Sequence, residues 1–154
     1  MFDSILVPTD GRGDMARVAE RALALAECGD GCIHALYVVD EAAYSAVPED
    51  ARDRVRETLA ADGEDATRAI AERAHEADID VEREIRWGDP AVAIVAYAVE
   101  NDVDMIAMGT RGKTGFERYL LGSVAEKVVH VSPVPVLTVR IGDREDELSE
   151  LLGA

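Results

Sequence analysis

Short apolar runs of strand length alternate with longer amphipathic segments five times along this chain. No other feature constrains its fold as much. The runs span residues 2–7, 32–39, 79–86, 103–108 and 133–140. Such repetition predicts an α/β protein: an open, five-stranded, mostly parallel sheet with helices on both faces, joined by right-handed crossovers. Cys32-Ile-His-Ala-Leu-Tyr-Val-Val39 is apolar almost throughout, as a central strand covered on both faces should be. Ile79 to Arg86 instead alternates apolar and charged residues, which predicts an edge strand with one wet face. Periodicity alone leaves the strand order open.

The intervening segments read as helices. Asp14 is a candidate N-cap for a helix from Met15 to Glu27 with Val18, Ala22, Leu25 and Ala26 on one face. Residues 40–50 read as a mixed loop. Arg52 to Ala77 is helical in composition, with Val55, Leu59, Ile70 and Ala74 inward and Asp62-Gly63 as a point of kinking or splitting. In Trp87-Gly-Asp-Pro90, Asp89 caps the next helix and Pro90 takes its first position. That helix, Ala91 to Glu100, is expected to bury Val92, Ile94, Val95 and Val99. A last helix follows over Val124 to His130. Residues 142–154 form an acidic C-terminal tail beyond a domain at 1–141. Leu148, Leu151 and Leu152 give the tail helical spacing, open to either a docked helix or a frayed end.

At 154 residues the chain fits one domain that needs no disulfide or metal to hold a core. It has no run of eighteen apolar residues and no basic leader at Met1-Phe-Asp-Ser, so the expectation is a cytoplasmic protein without a membrane partner. Acidic residues number 32 against 16 basic ones, for a net charge of −16, and they are dispersed along the chain. That argues against nucleic acid as a partner. Dispersed carboxylates with only two lysines point to a halophilic source. Salt shortens the Debye length to about 3 Å at 1 M and so makes self-repulsion tolerable. Cys28 and Cys32 lack a matching ligand pair, and His34, His75 and His130 are scattered, so no metal site is expected.

The chemistry concentrates in Gly109-Thr-Arg-Gly112 and the residues through Gly122-Ser123, spaced Gly-x2-Gly-x9-Gly-Ser. A strand precedes this stretch and a helix follows. Backbone N–H groups become available for phosphate at such junctions. Gly109 and Gly112 are free to take positive φ and to let main chain approach a ligand. Ser123 followed by Glu126 reads as a capping box at the positive end of the helix dipole. Over 109–127 the balance is +2, from Arg111, Lys113, Arg118 and Lys127 against Glu117 and Glu126. An anion site in so acidic a chain needs that local reversal. Asp10, at the end of the first run, either caps its own turn or accepts hydrogen bonds from a ribose. Main chain at Val38 is placed to border an adenine if the first and second strands are neighbours.

Nearly the whole chain, about residues 1–141, resembles the universal stress protein family. The resemblance rests on Ile5-Leu-Val-Pro-Thr-Asp10, Leu36-Tyr-Val-Val-Asp40, Gly88-Asp-Pro-Ala-Val-Ala-Ile94, the 109–123 loop and Ser132-Pro-Val-Pro-Val-Leu-Thr-Val139. The glycine spacing is that of its ATP-binding branch. The resemblance implies the strand order 3-2-1-4-5 of adenine nucleotide α-hydrolase-like folds. It implies ATP, with Mg2+ on its phosphates, bound by Pro8, Thr9, Asp10 and Val38 on the adenine–ribose side. Met108 and Gly109 would form the ribose edge, and Gly112, Gly122, Ser123 and Val124 the phosphate cradle. It also implies a homodimer through the Val134–Val139 edge strand and a regulatory role in the stress response. Gly11-Arg-Gly13 departs from the usual family pattern, and the tail lies outside it.

No residue is an evident catalyst, so a non-enzyme with at most slow ATP hydrolysis is expected. Three alternatives compete. Ala107-x4-Gly112-Lys113-Thr114 nearly matches a P-loop, which would make Lys113 essential to an ATPase. A dimerising module that binds no nucleotide would lack the glycines. An ATP-dependent ligase or transferase would need a nucleophile with a positioned base. The charge balance yields the first prediction: the melting temperature falls as KCl is lowered from multimolar to millimolar. An unchanged melting temperature would count against salt adaptation.

Overall fold

The computed structural model describes residues 2–111, 122–141 and 151–153. Five strands, β1 (Ser4–Pro8), β2 (Cys32–Asp40), β3 (Asp80–Gly88), β4 (Met105–Arg111) and β5 (Val136–Ile141), form one sheet of order β3-β2-β1-β4-β5. All pairings are parallel. The central strand is the shortest. Its Ile5, Leu6 and Val7 are fully buried because both faces and both edges are covered. β3 lies at an edge, as its alternation predicts.

Helices α1 (Met15–Glu27) and α3 (Arg52–Glu76) pack on one face over Ile5, Val7, Ile33 and Ala35. Helices α4 (Pro90–Glu100) and α5 (Ser123–Val131) pack on the other over Leu6, Leu36, Ile106 and Met108. Asp89 caps α4 by accepting from the Val92 N–H at 3.1 Å, with Pro90 at the first position. Asp14 stands at the N-cap position of α1 but makes no side-chain cap bond.

Where α3 and α4 end, the chain turns by the same device. Asp78 and Asp102 take left-handed φ values of 58° and 49°. The following amides close six-to-one bonds, Ile79 N–H to Ala74 O at 2.8 Å and Val103 N–H to Ala98 O at 2.9 Å. Each turn delivers a buried residue, Ile79 or Val103, to the start of the next strand.

Four expectations need correction. The stretch after β2 holds a short helix α2 (Glu41–Ser45), which Asp40 caps through the Ala42 N–H, and a 3-10 turn at Glu49–Ala51. Gly63 does not split α3, which runs as one helix from Arg52 to Glu76. A Cβ there would meet Tyr37 Cδ1 at 2.9 Å and Ile85 Cδ1 at 3.0 Å, so the glycine lets an unbroken helix lie close on the sheet. In α4, Val92 and Val99 are exposed, while Ala91, Ile94, Tyr97 and Ala98 are buried. A helix apolar around most of its circumference carries no readable inward face. β5 starts at Val136 rather than 133, since Pro135 has no N–H and contributes only its carbonyl, to Ile106 N–H at 3.0 Å. Of the tail, only residues 151–153 are described, and Leu151 and Leu152 are exposed.

His34 is buried in β2. Its ring nitrogens meet Ser4 Oγ at 2.9 Å and Tyr97 Oη at 2.7 Å, with Glu82 at 3.4 Å. Burial lowers its pKa below the ordinary 6.5, and the Glu82 carboxylate offsets this only in part. The unfolded chain therefore takes up the proton first as pH falls. The contribution of His34 to stability is complete above about pH 6.5 and declines as pH drops from there toward the folded value. The second prediction is a melting temperature whose fall between pH 7 and pH 5 is smaller in His34→Gln than in wild type. Parallel curves would refute it.

Candidate functional site

The order β3-β2-β1-β4-β5 puts β1 and β4 side by side although α1 leads away from one and α5 from the other. The chain departs in opposite directions here, and a crevice opens beyond the carboxyl ends of the strands. The crevice is a cleft of about 570 Å³. Pro8, Thr9 and Asp10 form one wall, with Arg12 beside them. Leu36, Tyr37 and Val38 come from β2, Met108 and Gly109 from β4, and Gly122 to Ala125 from the start of α5. Pro90 and Ile94 of α4 also border it. Of the ten residues expected to bind, nine are described and all nine line this cleft; Gly112 lies outside the described residues. Lys113 and Arg118 of the basic cluster also lie outside them.

Local hydrogen bonds shape the β1–α1 wall. Thr9 N–H continues the ladder to Leu36 O at 2.9 Å, and its Oγ1 accepts from Gly11 N–H at 3.0 Å. Asp10 Oδ1 accepts from Arg12 N–H at 3.0 Å. Asp10 thus shapes its own turn and also borders the cleft, so the two roles open to it are compatible. Its carboxylate is about half exposed.

At α5 the expected register shifts by one residue. Gly122, at φ −57° and ψ 150°, is the N-cap, and Ser123 is the first helical residue. Ser123 and Glu126 therefore form no capping box. The first bond the helix makes for itself is Glu126 N–H to Gly122 O, at 2.9 Å. The amides of Ser123, Val124 and Ala125 precede it, and no described side chain caps them. The positive end of the dipole thus borders the cleft with no cap from a described side chain.

Gly109 also needs a different explanation. It lies within β4, and positive φ among the described glycines occurs only at Gly11, Gly88 and Gly153. A Cβ at Gly109 would sit 2.6 Å from Ile141 Cδ1 and 3.2 Å from Val18 Cγ2. Glycine here answers crowding from α1 and β5, while its main chain lines the cleft.

The P-loop alternative fares poorly. Ala107, at the place of that motif's first glycine, is fully buried and pairs with Leu137 inside β4, which runs on to Arg111. A phosphate loop has to begin where this strand is still paired.

A model of the universal stress protein family matches residues 1–140. The chain belongs to the universal stress protein family. It is 36% identical over 146 residues to universal stress protein MJ0531 of Methanocaldococcus jannaschii, covering 94% of this chain and 86% of that one. The solved structure of the hypothetical protein MJ0577 is similar at a TM-score of 0.80 and 29% identity, over 94% of this chain and 99% of the other. A universal stress protein solved in complex with cAMP is similar at a TM-score of 0.72 and 25% identity, over 92% and 99%. The strand order expected of a universal stress protein is the one observed. No described helix is long and apolar enough to cross a membrane.

Arg12, Tyr37, Pro90 and Ile94 line the cleft and were not anticipated from sequence. Tyr37 adjoins Val38, and Pro90 and Ile94 belong to the Gly88–Ile94 motif, so position relative to strand ends would have found them. Crowding at Gly109 yields the third prediction. Gly109→Val costs about 1–3 kcal/mol in denaturant unfolding, the usual penalty of overpacking. Ile141→Ala in the same chain recovers part of the loss. No destabilisation would show that the site has room.

Proposed function

We propose that this chain is an ATP-binding regulatory protein of the stress response, and that ATP occupies the cleft at the carboxyl end of the sheet. One observation carries the proposal: the Pro8–Asp10 wall and the N-terminus of α5 border the same cleft. Val38 is placed to offer main chain to the adenine, Asp10 and Gly109 to meet the ribose, and the α5 amides to meet phosphate. Gly112, outside the described residues, is assigned to the phosphate cradle on sequence grounds. A family member in complex with cAMP supports an adenine nucleotide as the ligand class.

Mg2+ would ride on the phosphates. Among the described residues no group of three His, Cys, Asp or Glu side chains is arranged to hold a metal. No described side chain of the cleft pairs a nucleophile with a base, so hydrolysis is slow or absent and binding acts by stabilising one state. We further propose a cytoplasmic, salt-adapted homodimer. Among the described residues β5 pairs with β4 alone, and its other edge is one that residues 134–139 of a second copy can extend.

The fourth prediction tests the cleft. At high salt, ATP–Mg raises the melting temperature of wild type but not of Gly122→Val, with about 2.7 kcal/mol of stabilisation at a hundredfold excess over Kd. Identical curves for both proteins, with and without nucleotide, would overturn the assignment.

A further inference from the structure

The turn between β1 and α1 is built to present one side chain. Gly11 has φ +81°, which a residue with a Cβ adopts only at a cost, and a Cβ there would lie 3.2 Å from that of Ala66. At Gly13 a Cβ would meet nothing within 4 Å, so packing does not require that glycine. Between them, the main chain of Arg12 is fixed on both sides. Its N–H donates to Asp10 Oδ1 at 3.0 Å, and its carbonyl accepts from Met15 N–H at 3.1 Å. Its side chain is 67% exposed, with Nε 3.8 Å from Asp10 Oδ2.

Arg12 is the one basic residue among the described residues lining the cleft, and Asp10 the one acidic residue. An anion approaching a chain of net charge −16 meets long-range repulsion. At high salt, attraction survives only at contact range, where a planar guanidinium can donate two parallel hydrogen bonds to phosphate oxygens. An exposed ion pair such as Arg12–Asp10 holds weakly, so exchanging the carboxylate for a phosphate is easy.

Building on the nucleotide assignment above, we propose that Arg12 sets the cleft's preference for phosphate charge. Its guanidinium contacts the phosphates of the bound nucleotide from the β1–α1 wall, alongside the amides of α5. Gly11-Arg-Gly13, the departure from the family pattern, thereby becomes a specificity element of this chain.

The fifth prediction is read by calorimetry with adenosine, AMP and ATP–Mg on wild type, Arg12→Gln and Arg12→Lys, at low and high KCl. In Arg12→Gln the affinity ratio of ATP to adenosine drops about tenfold, which corresponds to about 1.4 kcal/mol. Arg12→Lys restores only part of it, because an ammonium lacks the planar fork. Equal losses for adenosine and ATP would mean that the turn is merely distorted, and no loss for ATP would mean that the guanidinium is uninvolved. Either overturns the role of Arg12 while leaving the cleft assignment intact. Wild type that binds none of the three ligands overturns the cleft assignment and the role of Arg12 with it.

Discussion

Everything in this molecule hangs on a five-residue strand paired on both sides. β1 hydrogen-bonds to β2 along its whole length and to β4 through Ile5 and Leu6. Its three core side chains are shut off from water by helices above and below. The Asp104 carboxylate secures its amino end, accepting from the N–H groups of Asp3 and Ser4 at 3.0 Å each. With that end tied down and the flanks occupied, only the carboxyl end has freedom to serve a ligand. Pro8, Thr9 and Asp10 stand there, where the last ladder bond gives way to side-chain-directed turns.

The two faces of the sheet divide the labour. α1 and α3 press closely on one side, through glycines at 63 and 109 that admit neighbouring side chains where a Cβ would stand. α4 and α5 cover the other side and lend Pro90, Ile94 and the α5 N-terminus to the cleft. Glycine therefore does two jobs in this chain. At Gly11 it supplies a left-handed turn, whereas at Gly63 and Gly109 it supplies room.

Much of this was legible in the residues. Alternating strands and helices identify the class, the polar alternation of β3 marks an edge, and Asp89-Pro90 locates a helix start to the residue. The cleft was legible as well, through strand ends and glycine spacing, once the family resemblance supplied the strand order. Other features were not, for identifiable reasons. The all-round apolar α4 hides its orientation, so Val92 and Val99 look buried from sequence. Ser-x-x-Glu looks like a cap, but Gly122 already occupies the extended position before the helix. The reason for glycine at 109 is a tertiary neighbour, Ile141, thirty-two residues away in sequence.

Asp78 and Asp102 sit where helices most often place glycine, in the left-handed position that closes α3 and α4. Aspartate tolerates that geometry better than most residues with a Cβ, yet less well than glycine does. At both corners the chain accepts the small conformational penalty and keeps an exposed carboxylate. Its acidity therefore reaches into the hinges of the backbone itself and is more than a coating on helix surfaces. Glycine at either position would remove a carboxylate and relieve the left-handed strain of the corner that launches β3 or β4 in one step.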